Sequence, residues 1–144
     1  MFETVITPRF GDMDGLRHIN NCMIPVWFES ARTPIFRIFN PSMKVDFDNW
    51  NLIMARIEAD FLGEMHWGDD IRIVTDVIRI GNSSFTVGQE AWQQGRLCAR
   101  GTAVHVHYNF KTKSAVVIPD NIRKQLAEHL VDFDLWKKKG KKNS

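Results

Sequence analysis

The chain has 144 residues, 44% of them hydrophobic and 25% charged, with a formal net charge of +2. That is enough for one domain with its own core, and no apolar run approaches the roughly 20 residues of a membrane-spanning helix. Lys137, Lys138, Lys139, Lys141 and Lys142 account for the positive sign; the remainder is net acidic, which argues against a nucleic-acid-binding face.

Residues 1–136 are expected to form the domain and 137–144 a solvated, lysine-rich flexible tail. The opening MFETVITPRF lacks a signal-peptide pattern, and Cys22 and Cys98 make neither a disulfide framework nor a CxxC metal motif. Free thiols and a cytoplasmic location are the expectation.

Residues 2–10 read as a first strand and Asp12 to Asn21 as a polar loop. Ile24, Trp27, Phe28, Ala31, Ile35, Ile38 and Phe39 then recur at spacings of three and four, predicting a helix with a broad apolar face. Asn20 or Asn21 is the expected N-cap. Pro25 fits the first turn, but Pro34 should bend or break the helix into two pieces, and Asn40-Pro41 ends it.

From Ile53 the period changes to two. Ile53, Ala55, Ile57, Ala59 and Phe61 alternate with polar or flexible residues, predicting a strand with one buried face. Gly68-Asp69, Gly81-Asn82 and Gln94-Gly95 then separate three further strands. In the last, Val104, Val106, Tyr108 and Phe110 share one face and Ala99, Gly101, Ala103, His105 and His107 the other. The small residues on that second face would let a helix lie close. Pro119-Asp120 opens a short amphipathic helix with Ile122, Leu126 and Leu130. The order implies an α+β domain, an antiparallel sheet wrapped around one mostly buried helix.

The stretch Arg9 to Arg32 concentrates the candidate chemistry. Asp14 lies a few residues before the start of the buried helix, where backbone N–H groups attract negative charge. A carboxylate beside such a terminus is suited to attack and polarise an activated carbonyl. Asp also favours turns for local reasons, so on the residues alone Asp14 reads first as a loop residue bonded to a nearby amide.

Three segments carry a family resemblance: Arg9-Phe10-Gly11-Asp12-Met13-Asp14, then His18-Ile19-Asn20-Asn21, then Trp27-Phe28-Glu29-Ser30-Ala31-Arg32. They resemble the hotdog-fold acyl-CoA thioesterases of the 4-hydroxybenzoyl-CoA thioesterase-like family. The D-x-x-x-H-x-N-N spacing from Asp14 to Asn21 is closest to the long-chain acyl-CoA thioesterase branch and to plant acyl-carrier thioesterases. Trp67-Gly68-Asp69-Asp70, Ile80 to Phe85 and Ile118-Pro119 resemble later parts of the same family. Ile24 stands where many relatives have an aromatic residue.

The resemblance implies hydrolysis of an acyl thioester to a carboxylic acid and a thiol, with Asp14 as nucleophile or general base for water. It implies that the amide near Asn21 polarises the thioester oxygen, while His18 and Asn20 orient acid, water or substrate. The substrate would be an acyl-CoA or an acyl-carrier protein, with no metal and no further cofactor. Relatives assemble as homodimers or homotetramers with sites between subunits. Arg79, Ser83, Ser84 and Arg100 are candidates for the phosphates of coenzyme A. A hotdog hydratase or dehydratase, or a non-catalytic acyl-thioester binding protein, are the alternatives.

Blander roles are expected nearby. Asp12 reads as structural, and Glu29 and Arg32 as an ordinary helix-surface pair. His105 and His107 read as edge or interface histidines and Cys22 as a small buried residue.

Overall fold

The computed structural model describes residues 1–139. Strand β1 (Phe2–Ile6) leads through a 3-10 turn (Phe10–Asp12) to helices α1 (Met23–Ala31) and α2 (Thr33–Phe39). Strands β2 (Leu52–Phe61), β3 (Ile71–Ile80), β4 (Ser84–Gln93) and β5 (Arg96–Asn109) follow, then the two-residue β6 (Ser114–Ala115). Helices α3 (Asp120–Ala127) and α4 (Phe133–Lys139) close the described chain.

The sheet is antiparallel in the order β1-β3-β4-β5-β2, with β6 paired to the end of β5. Tight turns make β3, β4 and β5 consecutive neighbours, as their Gly-containing junctions predict. β2 departs from that expectation by pairing with the far side of β5. The connection through 62–70 is too long for a hairpin turn, and it carries Met65 into the core on the way.

The expected long helix is broken, with Arg32 as the C-cap of α1 and Pro34 in the first turn of α2. Each piece covers one half of the sheet. Ile24, Trp27, Phe28 and Ala31 pack on Ile71, Ile73, Ala91 and Ala99, while Ile35 and Phe39 meet Val77, Phe85, Val87, Ile122 and Leu126. Each large apolar side chain buried this way contributes about 1.5–3 kcal/mol. Gly101 lies under α1, where an added Cβ would stand 3.3 Å from the Phe28 ring and collide with the carbonyl of Glu58 on β2. The small-residue face of β5 thus brings helix and sheet together.

Two expectations are corrected here. β2 has no buried face in the single chain: only Leu52 is buried, and Ile53, Met54, Ile57 and Phe61 are exposed. It is an edge strand lying beyond the cover of α1 and α2. The folded part also runs past residue 136, because α4 extends to Lys139 and docks on the sheet face opposite α1. There Trp136 is buried against Gly88. The remainder of the expected tail, 140–144, lies outside the described residues. In α3, Ile122 and Leu126 are buried, whereas Leu130 lies beyond the helix and is exposed. No helix among the described residues is long and apolar enough to cross a membrane.

Candidate active site

The loop before α1 is a small, tightly tied hairpin. Met13 and Ile19 form an antiparallel bridge, and the Ile19 amide donates to the Met65 carbonyl at 2.7 Å. The Asn20 amide donates to the Asp12 carbonyl at 2.8 Å. Within the tip, the Asp14 amide donates to the His18 carbonyl at 2.8 Å and the Arg17 amide to the Asp14 carbonyl at 3.2 Å. Arg17 turns the chain with φ of 64°, a left-handed conformation that costs a non-glycine residue about 1 kcal/mol. The hydrogen bonds around it hold that strain in place.

Asp14 is half-buried at this tip. Its Oδ1 accepts from the amides of Leu16 at 2.8 Å and His18 at 3.3 Å. Oδ2 has no hydrogen-bond partner among the described residues. The carboxylate is therefore anchored by one oxygen and presents the other. Asp12 is placed differently: it is buried, and both oxygens are engaged by Arg9, through the guanidinium at 3.0 Å and the amide at 2.8 Å. Arg9 holds the Asp12 carboxyl below the usual carboxylate range, chiefly through that side-chain hydrogen bond. Asp12 is thus committed to the loop's structure.

His18 contacts Asp14 through its backbone. Its ring Nε2 sits 3.2 Å from Glu64 Oε2 and the ring packs edge-on to His66 at 5.2 Å. His66 is itself fixed, since Gln93 accepts from its amide at 2.8 Å and donates to its carbonyl at 2.7 Å. Exposed Phe10 and Trp67 meet edge to face at 5.9 Å, adding an aromatic rim. Glu64, His66 and Gln93 were not foreseen around His18, because the fold rather than local spacing brings them there.

The N-cap of α1 is Cys22, with no side-chain cap hydrogen bond, so neither Asn20 nor Asn21 is the cap; Asn20 instead ties the turn before it. The Asn20 Oδ1 accepts from the Cys22 amide at 2.9 Å and the Asn20 carbonyl accepts from the Met23 amide at 2.9 Å. The Asn21 carbonyl takes the Ile24 amide at 3.2 Å. The Asn21 amide itself has no partner among the described residues, leaving one donor unspent at the start of a helix whose opposite face is buried. Cys22 is exposed and Cys98 buried, both as free thiols. The expectation of a buried Cys22 fails because the residue stands on the solvent side of the first turn.

The remaining candidates do not gather at Asp14. Arg79 and Arg100 line a cavity of about 560 Å³ on the outer face of the sheet, with Arg56 and Lys137. There Arg100 donates to the carbonyls of Trp136 at 2.7 Å and Lys137 at 3.1 Å, and Arg79 stacks over Phe133 at 4.8 Å. Both thus help seat α4. Ser83 and Ser84 occupy the β3–β4 turn, at the opposite end of ten-residue β3 from the Asp14 loop, a separation of about 30 Å along the strand.

Two local pairings are also corrected. Arg32 turns inward and donates to Gln89 Oε1 at 3.0 Å, and makes no ion pair with Glu29 among the described residues. His105 and His107 are buried core residues: His105 lies between Phe36 and Phe85, and His107 beside Phe39. The described residues include no cluster of three or more His, Cys, Asp or Glu arranged to hold a metal.

The fold has counterparts among solved structures. A predicted thioesterase of Bacillus stearothermophilus is 43% identical, with 91% of this chain and 97% of that one covered at a TM-score of 0.87. A Thermus thermophilus thioesterase, in a structure with coenzyme A and zinc, is 25% identical, covering 87% and 96% at a TM-score of 0.76. The uncharacterized protein YsmA of Bacillus subtilis is 25% identical over 128 residues, 87% of this chain and 84% of YsmA. The model of the thioesterase-like superfamily matches residues 8–126. The chain is a hotdog-fold protein and belongs to the thioesterase-like superfamily.

Proposed function

We propose that this protein hydrolyses acyl-CoA thioesters, with Asp14 as the reacting carboxylate. The observation that carries the reading is the loop geometry: one Asp14 oxygen is tied to two backbone amides and the other is unpartnered. The same hairpin runs directly into the start of α1, where the Asn21 amide is unspent. The thioesterase-like family and the coenzyme A complex of the Thermus relative support the substrate class.

As general base, Asp14 takes a proton from water while the water oxygen attacks the thioester carbonyl. As nucleophile, its oxygen attacks the carbonyl directly and water then cleaves the mixed anhydride. In either route the tetrahedral oxyanion forms within reach of the α1 terminus, and the Asn21 N–H donates to it. Losing one such donor elsewhere costs about 3–4 kcal/mol of transition-state stabilisation. Collapse expels the thiolate, a leaving group that needs little protonation. His18, held toward Glu64, and Asn20, bonded to the Cys22 amide in the turn before α1, position this end of the site.

The assembly belongs to the same proposal. β2 is an edge strand whose outer side has no partner strand among the described residues and which exposes Ile53, Met54, Ile57 and Phe61, and long exposed edges are normally covered. Antiparallel pairing of β2 with its copy makes a homodimer, on which a homotetramer can build. Two-fold symmetry then sets the Phe61 end of one β2, beside its own Asp14 loop, against the Leu52 end of the other.

The test is thiol release from short, medium, long and aromatic acyl-CoAs and from acyl-carrier protein, with the long-chain arm first because of the loop spacing. Turnover of at least one class is expected. Hydration of an enoyl thioester without thiol release, or saturable binding with no hydrolysis, would contradict the reading.

A further inference from the structure

Arg32 is the most deeply buried cation among the described residues. As C-cap of α1 it stands at the helix break, and its side chain is only 1% exposed. The hydrogen bond it makes is to a neutral amide, Gln89, at 3.0 Å, and its Nε has no partner. No carboxylate lies within 4.0 Å of it among the described residues. Buried charges are ordinarily paired, because desolvation without a counter-charge is expensive. Burial pushes the Arg32 guanidinium down to about 10, against the favourable field of Glu29 one turn earlier.

His105 lies across from it, 4% exposed, with Nε2 unpartnered. Burial, reinforced by the Arg32 charge, pushes its imidazole down to about 4, so the ring is neutral at physiological pH. Arg32 and His105 both line a cavity of about 390 Å³. Its other walls include half-buried Phe36, Met43 and Trp50, and exposed Glu29 stands at the rim. The volume falls in the ordinary range for small-molecule sites. An apolar chamber floored by one unpaired guanidinium and one neutral imidazole matches a ligand with a hydrocarbon body and a single planar anion.

We infer that this chamber is a carboxylate-binding site, in which Arg32 pairs with the carboxylate of an apolar acid and His105 Nε2 supplies a second polar contact. A guanidinium fork fits a carboxylate through two parallel hydrogen bonds, and one negative charge balances the one positive charge present. Glu29 opposes the anion from the rim, where solvent screens it. The carboxylate has two sources: a free acid, such as a thioesterase releases, or the far-end carboxylate of an acyl group still joined to its thiol. Only this question of source rests on the proposed thioesterase activity.

The experiment uses the full chain labelled at histidine, titrated with octanoate and with uncharged octanamide, reading the His105 ring signals by NMR and affinity by calorimetry. Octanoate is expected to shift His105 saturably and to bind about tenfold or more tighter than octanamide, since hydrogen bonds to a charged partner carry the difference. Arg32→Met should erase that preference. If that variant does not fold, exposed Glu29→Gln supplies the second arm, in which octanoate binding tightens by about two- to threefold as the rim repulsion is removed.

Equal affinity for octanoate and octanamide, or an unmoved His105 in the folded wild-type protein, overturns the inference. Hydrolysis of a carboxyl-terminated acyl-CoA and its methyl-ester counterpart separates the sources. A lower KM for the acid assigns the acyl carboxylate; equal KM values with octanoate inhibition of both assign the free acid. Octanoate bound at His105 in a protein that cleaves no thioester would overturn the proposed function and leave this site standing.

Discussion

Asp14 and His18 hold each other through the backbone: the Asp14 amide donates to the His18 carbonyl at 2.8 Å, and the His18 amide donates back to Asp14 Oδ1 at 3.3 Å. The link makes the carboxylate part of the turn that displays it. Asp14→Asn retains an oxygen acceptor for the Leu16 and His18 amides, so its thermal midpoint should match the wild type. Asp14→Ala removes the acceptor for both amides and should lose about 0.5–2 kcal/mol, the range seen when a side-chain cap is deleted. Thermal melts of the two variants check this, and equal loss in both would contradict it.

The edge strand yields an assembly prediction. Ile57 is 42% exposed on the edge strand β2, and a lysine there places like charges close to the two-fold of the proposed dimer. Ile57→Lys should sediment as a folded monomer. An unchanged dimer in sedimentation velocity would remove β2 as the contact.

Gly88 and Trp136 give a packing prediction on the other sheet face. A Cβ on Gly88 would stand 2.5 Å from Trp136 Cε2, so Gly88→Ala must push α4 away. Overpacking of this kind costs about 1–3 kcal/mol. Gly88→Ala should lower stability by that amount and raise the solvent exposure of Trp136, read by quenching against a Trp136→Phe control. An alanine accommodated with no change would place α4 elsewhere.

That contact also shows what the sequence conceals. Pro34 announced the helix break, the two faces of β5 were legible as alternation, and the Asp14 loop was legible as a motif. Helix α4 was not, because FDLWKKK is short and lysine-rich and its anchor, Gly88, lies far away along the chain. β2 carries the alternation of a half-buried strand, yet its position at the edge leaves it bare in one chain. Glu29 and Arg32 have the spacing of a surface pair, but the break after Ala31 turns Arg32 into the core toward Gln89. Contacts between residues far apart along the chain decided each of these, and local spacing does not encode them.

His105 should leave a signature in stability against pH. Its folded pKa is pushed from 6.5 down to about 4, first by burial and then by Arg32. The unfolded chain therefore binds the extra proton between those values, and stability is full above pH 6.5 and falls as pH drops toward 4. The shift corresponds to about 3 kcal/mol. Asp76 and Glu90, raised mainly by burial, act in the opposite sense and lose stability as pH rises past their unfolded range. Comparing denaturant unfolding of wild type and His105→Gln across this window isolates the histidine. The variant should lack the slope, and identical slopes would contradict a neutral buried His105.

In the proposed mechanism the unpartnered oxygen of Asp14 performs the chemistry while Asp12 only supports the loop. The most direct measurement is kcat for thiol release from the best acyl-CoA in wild type, Asp14→Asn and Asp12→Asn, beside the Kd of each folded protein for the same substrate. Asp14→Asn should lose at least about a hundredfold in kcat, the lower end expected for a general acid–base group, with Kd unchanged. Asp12→Asn should lose stability before activity. Full turnover by a folded Asp14→Asn variant would contradict the account.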